Sequence, residues 1–263
     1  MRTILYAILV LGVLGGVFGA LLALASEIFH FESDPQEDAI KECLGGINCG
    51  GCGYPSCSSY AKAVASGKEH TNKCVVLGAE GAKKIAHIMG VSAEKAVEKF
   101  AFVKCSGCEG IAEKRFHYTG PQDCRAAMLF GGKDSKLCTF ACIGLGNCTR
   151  VCTFDAIHIV DGIAQVDRAN CVGCGKCAEA CPKNIIEILN RTQAVAPACS
   201  SKDKGAKVNK ICSAGCIGCM RCQKECPTGA ITVTDNLAKI DASKCTACGH
   251  CVEICPRKII QKL

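Results

Sequence analysis

The sequence predicts an α+β chain of three kinds of parts: an apolar N-terminal helix, a small helical domain, and two copies of a cysteine-rich unit built on short β-hairpins. Three observations carry this. Ile4 to Ala25 runs for 22 residues without a charge, long enough to cross a bilayer as a helix. Ser58 to Gly67 and Glu80 to Phe100 are rich in Ala and Lys, with apolar residues at helical spacing. From about residue 124 the chain repeats itself with a period of 74.

The repeat is carried first by cysteines. Cys138, Cys142, Cys148, Cys152, Cys171 and Cys181 recur as Cys212, Cys216, Cys222, Cys226, Cys245 and Cys255. The segment between motifs recurs too, Ala156 to Val166 matching Ala230 to Ile240. Both alternate apolar and polar residues around Asp161-Gly162 or Asp235-Asn236, a β-hairpin signature. Upstream, Cys49, Cys52, Cys57 and Cys74 form a separate set within a glycine-rich block. The expected division is 1–26 membrane helix, 27–42 polar acidic linker, 43–100 helical domain, 101–137 connecting segment, 138–190 first module, 191–211 connecting segment and 212–263 second module.

Cysteine fills 26 of 263 positions, while Trp is absent and aromatics are only 5%. Such a chain has few large side chains to bury, so cross-links or metal must contribute to its folding. Spacing decides which. Cys245-x2-Cys248-x2-Cys251-x3-Cys255-Pro256 is the iron–sulfur run in which three thiolates grip one [4Fe–4S] cube and the fourth reaches its neighbour. Cys216, Cys219, Cys222 and Cys226-Pro227 repeat it, as do Cys171, Cys174, Cys177 and Cys181-Pro182. Disulfide frameworks do not repeat this spacing, and structural zinc uses separated C-x2-C pairs. Both modules are therefore expected to be two-cluster, ferredoxin-like units.

The crossing rule assigns the ligands. Cys216, Cys219, Cys222 and Cys255 form one set, Cys245, Cys248, Cys251 and Cys226 a second, and Cys171, Cys174, Cys177 and Cys152 a third. The fourth is imperfect, because Leu145 stands where the duplicate has Cys219. Cys142, Cys148 and Cys181 supply three ligands there, with Cys138 the nearest candidate for the last. Together with Cys49, Cys52, Cys57 and Cys74 this makes five cubes. A sixth is expected from four of Cys105, Cys108, Cys124, Cys199 and Cys212, with Cys124 and Cys199 read as near-duplicates 75 residues apart. Cys43 is left as a free thiol.

The formal charge of +7 counts cysteines as neutral. Each cube on four thiolates carries about −2, so five or six add roughly −10 to −12. The excess of Lys and Arg reads as compensation, with stretches such as Lys202 to Lys210 available to an acidic redox partner. Nucleic-acid binding is disfavoured, because the basic residues are scattered without interleaved aromatics. No Walker loop, G-x-G-x-x-G or Ser-His-Asp arrangement stands out, so no substrate-converting site is expected.

Small residues at Gly12, Gly15, Gly16, Gly19 and Ala20 suit the apolar helix to packing on other membrane helices. A cleaved signal ending near Ala23-Leu24-Ala25 is the alternative. It would deliver free thiols to an oxidising compartment, and no twin-arginine signal precedes the helix. A retained single-pass anchor in the cell membrane is the reading. Arg2 before the helix and the acidic residues after it would place the cysteines outside. Cluster chemistry argues for the cytoplasmic side, and outweighs a margin of one Arg.

An anchor, the block Cys49-Gly-Gly-Cys-Gly-Tyr-Pro-Ser-Cys57 and tandem ferredoxin-like modules, in that order, resemble the B subunits of Rnf electron-transport complexes over essentially the whole chain. The block alone is also similar to the iron–sulfur domain of corrinoid proteins, but no cobalamin-binding domain follows. The resemblance implies a relay that takes electrons from reduced ferredoxin and hands them to other membrane and peripheral subunits, coupled to Na⁺ or H⁺ export, with membrane lipid around the anchor. A polyferredoxin subunit of another oxidoreductase is the alternative; a redox or iron–sulfur sensor would need fewer clusters.

Overall fold

The structure is a computed structural model and describes residues 2–28, 34–93, 97–129 and 135–263. Helix α1 (Arg2–Ile28) is apolar around its circumference. Its segment Leu9–Ser26 has a mean hydropathy of 2.3 and buries nothing against the rest of the chain, so it meets the length and composition needed to cross a membrane.

Helix α2 (Pro35–Cys43) follows, inside the stretch expected to be linker. Its polar composition hides a well-made start. Asp34 caps it by accepting from the Gln36 amide at 2.9 Å, Pro35 presets the first turn, and Glu37 and Asp38 favour the positive helix end. One residue then decides its fate: Ile40 is fully buried against Tyr60, Val64 and Ile85. Those residues come from α3 (Cys57–Ala65), capped by Ser56, and α4 (Gly78–Ile88). Three short helices thus make the N-terminal domain. Apolar spacing predicts helix from Glu80 to Phe100, but α4 stops at Ile88 and Gly90 adopts a positive φ of 66°.

Strand β1 (Lys99–Val103) comes next, an apolar run that pairs antiparallel with β4 (Ile186–Asn190). Between them lie α5 (Cys124–Leu129), α6 (Asn147–Arg150), the hairpin of β2 (Ile157–Val160) and β3 (Ile163–Val166), and α7 (Lys176–Ala180). The second module repeats this plan. Strand β5 (Val195–Pro197) pairs with β8 (Ile260–Lys262), enclosing α8 (Gly205–Ile211), α9 (Arg221–Lys224), the β6 (Ile231–Thr234) and β7 (Leu237–Ile240) hairpin, and α10 (His250–Ile254). The end of the expected helical domain with the start of segment 101–137, and segment 191–211, therefore supply the first strand of each module. Their runs are short and carry no cluster motif, so the cysteine repeat does not mark them.

Both hairpins turn through paired positive φ angles, 49° and 72° at Asp161-Gly162 and 53° and 60° at Asp235-Asn236. This is the geometry that matches the natural strand twist. Above the first hairpin the backbone comes very close. Gly144 has φ +84°, and a Cβ placed there would lie 2.4 Å from the Gly162 carbonyl oxygen. At its equivalent, Gly218, a Cβ would lie 3.1 Å from the Asn236 Cα, a tight but less severe approach. Gly144→Ala is expected to destabilise the chain by about 3 kcal/mol, through strain and steric conflict together. Gly218→Ala should cost less, and anaerobic denaturation midpoints of the two variants check the order.

Candidate iron–sulfur sites

All 26 cysteines carry free thiols, so the disulfide alternative has no support. The helices α6, α7, α9 and α10 each carry a buried cysteine in their first two residues (Cys148, Cys177, Cys222, Cys251). Each is preceded by a left-handed residue, Gly146, Gly175, Met220 or Gly249. Those turns fold the x2 loops back so that neighbouring thiols face one interior point.

In the second module Cys216, Cys219, Cys222 and Cys255 line one pocket. Burial pushes the Cys222 thiol up to about 11, and repulsion from Cys216, Cys255 and Cys219 adds to it. Cys251 is raised by burial and then by Cys245, Cys248 and Cys226, which identifies the second group. Cys177 is pushed up to about 12 by burial, with Cys171, Cys174 and Cys152 among the neighbours that reinforce the shift. The structure thus brings together the three regular sets read from the spacing. In the N-terminal domain Cys52, Cys57 and Cys74 pack on the Ile40 core, and the raised Cys74 thiol feels both Cys52 and Cys49.

The fourth module set differs from expectation at one residue. Cys142, Cys148 and Cys181 line one pocket, and the cysteine that joins them there is Cys124, not Cys138. Burial raises Cys148 to about 12, helped by Cys142, Cys124 and Cys181. Local hydrogen bonds explain the position. Asp123 caps α5 by accepting from the Ala126 amide, while Asn147 donates to Asp123 and accepts from the Cys124 amide at 2.8 Å. Asn147 immediately precedes Cys148, so one side chain ties Cys124 to the neighbouring cysteine motif. Sequence reasoning missed this because the two segments are 23 residues apart with no spacing rule between them; the Asp123 cap was the available signal.

Cys138 instead lines a different cavity with Cys105, Cys199 and Cys212. Of the other expected contributors, Cys108 packs on the first module's core and lines a separate groove. Cys43 lies half-buried beside the N-terminal helices.

The donor set fits iron–sulfur cubes. Backbone amides point at cysteine sulfur from Ala101 to Cys171 (3.3 Å), Ala156 to Cys152 (3.4 Å) and Ala164 to Cys142 (3.4 Å). Such N–H···S bonds favour thiolate and tune cluster potential. A single zinc ion needs four sulfurs at about 2.3 Å from one point. Among the described residues no three metal-binding side chains converge that tightly, and four thiols set further apart would suit a cube.

Comparison with known proteins agrees. Residues 44–76 match the family described as "Putative Fe-S cluster". The 4Fe-4S dicluster domain matches at 141–185, 170–230 and 215–259. The chain is 43% identical to the B subunit of the Na(+)-translocating ferredoxin:NAD(+) oxidoreductase complex of Acetobacterium woodii, across 99% of this chain and 78% of that protein. It is 40% identical to the B subunit of the ion-translocating oxidoreductase complex of Methanosarcina acetivorans, across 97% of each. This chain belongs to the family of B subunits of Rnf-type, ion-translocating oxidoreductase complexes. The B subunit of the proton-translocating ferredoxin:NAD(+) oxidoreductase complex of Clostridium ljungdahlii, 39% identical across 100% of this chain and 94% of its own, is a further relative.

As a member of this family the chain carries several [4Fe–4S] clusters and serves electron transfer. Membership also gives meaning to the contacts between cysteine sets. Cys49 and Cys174 act on one another, and a Cβ on Gly51 would come within 2.9 Å of the Cys174 Cβ. Cys148 adds to the shift at Cys177, and α9 packs on α10. Neighbouring sets therefore touch within each module and between the N-terminal domain and the first module.

Proposed function

We propose that this Rnf-type B subunit is a one-electron relay that accepts electrons from reduced ferredoxin at the cytoplasmic face and delivers them to other membrane and peripheral subunits of an ion-translocating complex. The observation that carries the reading is the approach of neighbouring cysteine sets to one another, between the N-terminal domain and the first module and within each module, the second of which exposes Cys219 and Cys248. Five cubes would be held by Cys49, Cys52, Cys57 and Cys74; by Cys152, Cys171, Cys174 and Cys177; by Cys124, Cys142, Cys148 and Cys181; by Cys216, Cys219, Cys222 and Cys255; and by Cys226, Cys245, Cys248 and Cys251. When bound, these groups supply reversible one-electron carriage.

The chain's own residues hold, shield and tune. Buried Ile157, Ile163, Ile185 and Ile186 keep water from the first module, and Ile231, Ile259 and Ile260 do the same in the second. In the chain, exposed Arg221 and Lys224 follow exposed Cys219, and Lys244, paired with Asp241, precedes exposed Cys248; Arg221 and Lys224 are the cations offered to an acidic electron-carrier protein.

Stopped-flow reduction of the anaerobic protein by ferredoxin tests the reading. Arg221→Glu with Lys224→Glu is expected to slow second-order reduction about tenfold at low salt, with the difference shrinking as ionic strength rises. A rate unchanged by both substitutions and by salt would remove this surface from the proposal. Accessibility of a tag appended at the C-terminus to protease, in sealed vesicles of known orientation, checks the side of the membrane.

A further inference from the structure

We propose that Cys105, Cys138, Cys199 and Cys212 hold a further [4Fe–4S] cube at the junction of the two modules, each module contributing an equivalent pair of ligands. The inference rests on the relay reading above and deepens it. The 4Fe-4S dicluster matches begin at residue 141, so they leave Cys105 and Cys138 outside.

These four cysteines line one pocket, just as the module quartets Cys124, Cys142, Cys148, Cys181 and Cys216, Cys219, Cys222, Cys255 line theirs. The pairing by module is equally regular. Cys138 and Cys212 are separated by the repeat of 74. Cys105 and Cys199 are not, yet the fold makes them equivalent. Cys105 follows β1 and accepts from the Cys142 amide at 3.4 Å; Cys199 follows β5 and accepts from the Cys216 amide at 3.4 Å. Cys142 and Cys216 are themselves repeat partners. The residues just before agree too, Lys104 donating to Ile185 O and Ala198 to Ile259 O.

Either module alone offers two ligands, so the site is complete only when the two dock. Docking is visible around it. Glu113 donates to Ile211 O and Ser213 to Ile111 O, and Ala112, Cys138, Ala141, Ile211 and Cys212 share one apolar core. Two cations stand beside the site, where a cube on four thiolates would bring net negative charge. Lys136, 3% exposed, donates to the carbonyls of Gly107, Cys142 and Gly162. Arg257 donates to those of Cys212 and Gly215. The quartet lies between the Cys142 set and the Cys216 set, touching both through the two amide–sulfur bonds. It is the station that would join two otherwise separate two-cluster modules.

Iron and acid-labile sulfide analysis of the full chain, reconstituted anaerobically, is the test. The expected content is about 24 irons, falling to about 20 in Cys105→Ala with Cys199→Ala, while Cys108→Ala stays at about 24. Mössbauer spectra should show the lost irons to be of [4Fe–4S] type. In case the double variant folds poorly, the wild-type count decides alone. A wild-type content of about 20 or fewer, one zinc per chain in place of the four extra irons, or full iron in the double variant overturns the proposal. A content of about 20 leaves the five-cube relay standing, whereas a colourless, iron-free protein removes both.

Discussion

Cys124→Ala is expected to cost the chain about four irons, the content of one cube, and adding Leu145→Cys is expected to restore them. The reason is geometric. In the second module the loop carrying Cys219 is shaped by Gly218 and Met220, with φ of 64° and 60°. In the first, Gly144 and Gly146 hold φ of 84° and 77° around Leu145. The backbone that would present a thiol is therefore retained, and only the side chain differs. The missing sulfur arrives from α5, steered by Asp123 and Asn147. Relocating it by one substitution should rebuild the regular C-x2-C-x2-C set. Asn147→Ala, which leaves all four thiols in place, should weaken the site without abolishing it, because the Cys124 amide loses its partner. Iron content and EPR of the dithionite-reduced protein read all three variants. Full iron in Cys124→Ala would show that Cys124 is not a ligand.

This site also shows where sequence reading reaches its limit. The hairpins were legible because period-two alternation and Asp-Gly turns are local, and the structure places β2, β3, β6 and β7 where the repeat implied. The regular cysteine sets were legible because the ligands of a loop-and-helix unit are fixed by a few residues of backbone. Cys124 was not, since its distance from Cys148 is spanned by a segment whose length obeys no rule. Its offset of 75 from Cys199 even suggested a false equivalence. The true partner of Cys199 is Cys105, at an offset of 94, and only strand pairing reveals it: β1 with β4, β5 with β8. The linker reading failed for a similar reason. Composition over 27–42 is polar, and a single buried Ile40 is enough to recruit α2 into the core.

Removal of iron is expected to unfold both modules while leaving the N-terminal helices partly ordered. The modules' buried residues are mostly Ala, Val, Ile and Cys, and among the described residues only Phe100 and Phe102 are buried aromatics there. Their sheets are two-stranded ribbons, too small to be stable unaided. Without iron, the apolar side chains around the cysteine quartets lose the groups they would pack against. In a small metallodomain the binding energy of the metal is folding energy. The helical domain keeps Ile40, Tyr60, Val64 and Ile85 in mutual contact regardless. Acidity sharpens the prediction. Burial raises Cys148 and Cys177 to about 12 and Cys199 and Cys222 to about 11, from an ordinary 9.0. A thiol whose pKa is raised on folding stabilises the folded form below the unfolded pKa and loses that contribution as pH rises through the folded one. Any part of a module that stays folded after chelation should therefore be lost between about pH 9 and pH 12, whereas the loaded protein, its sulfurs bonded to iron, has no such protons to lose. Far-UV circular dichroism after anaerobic chelation, followed against pH, reads both effects. An iron-free chain that retained the hairpin signal and a cooperative melt near the loaded midpoint would mean that the polypeptide, and not its cubes, holds these modules together.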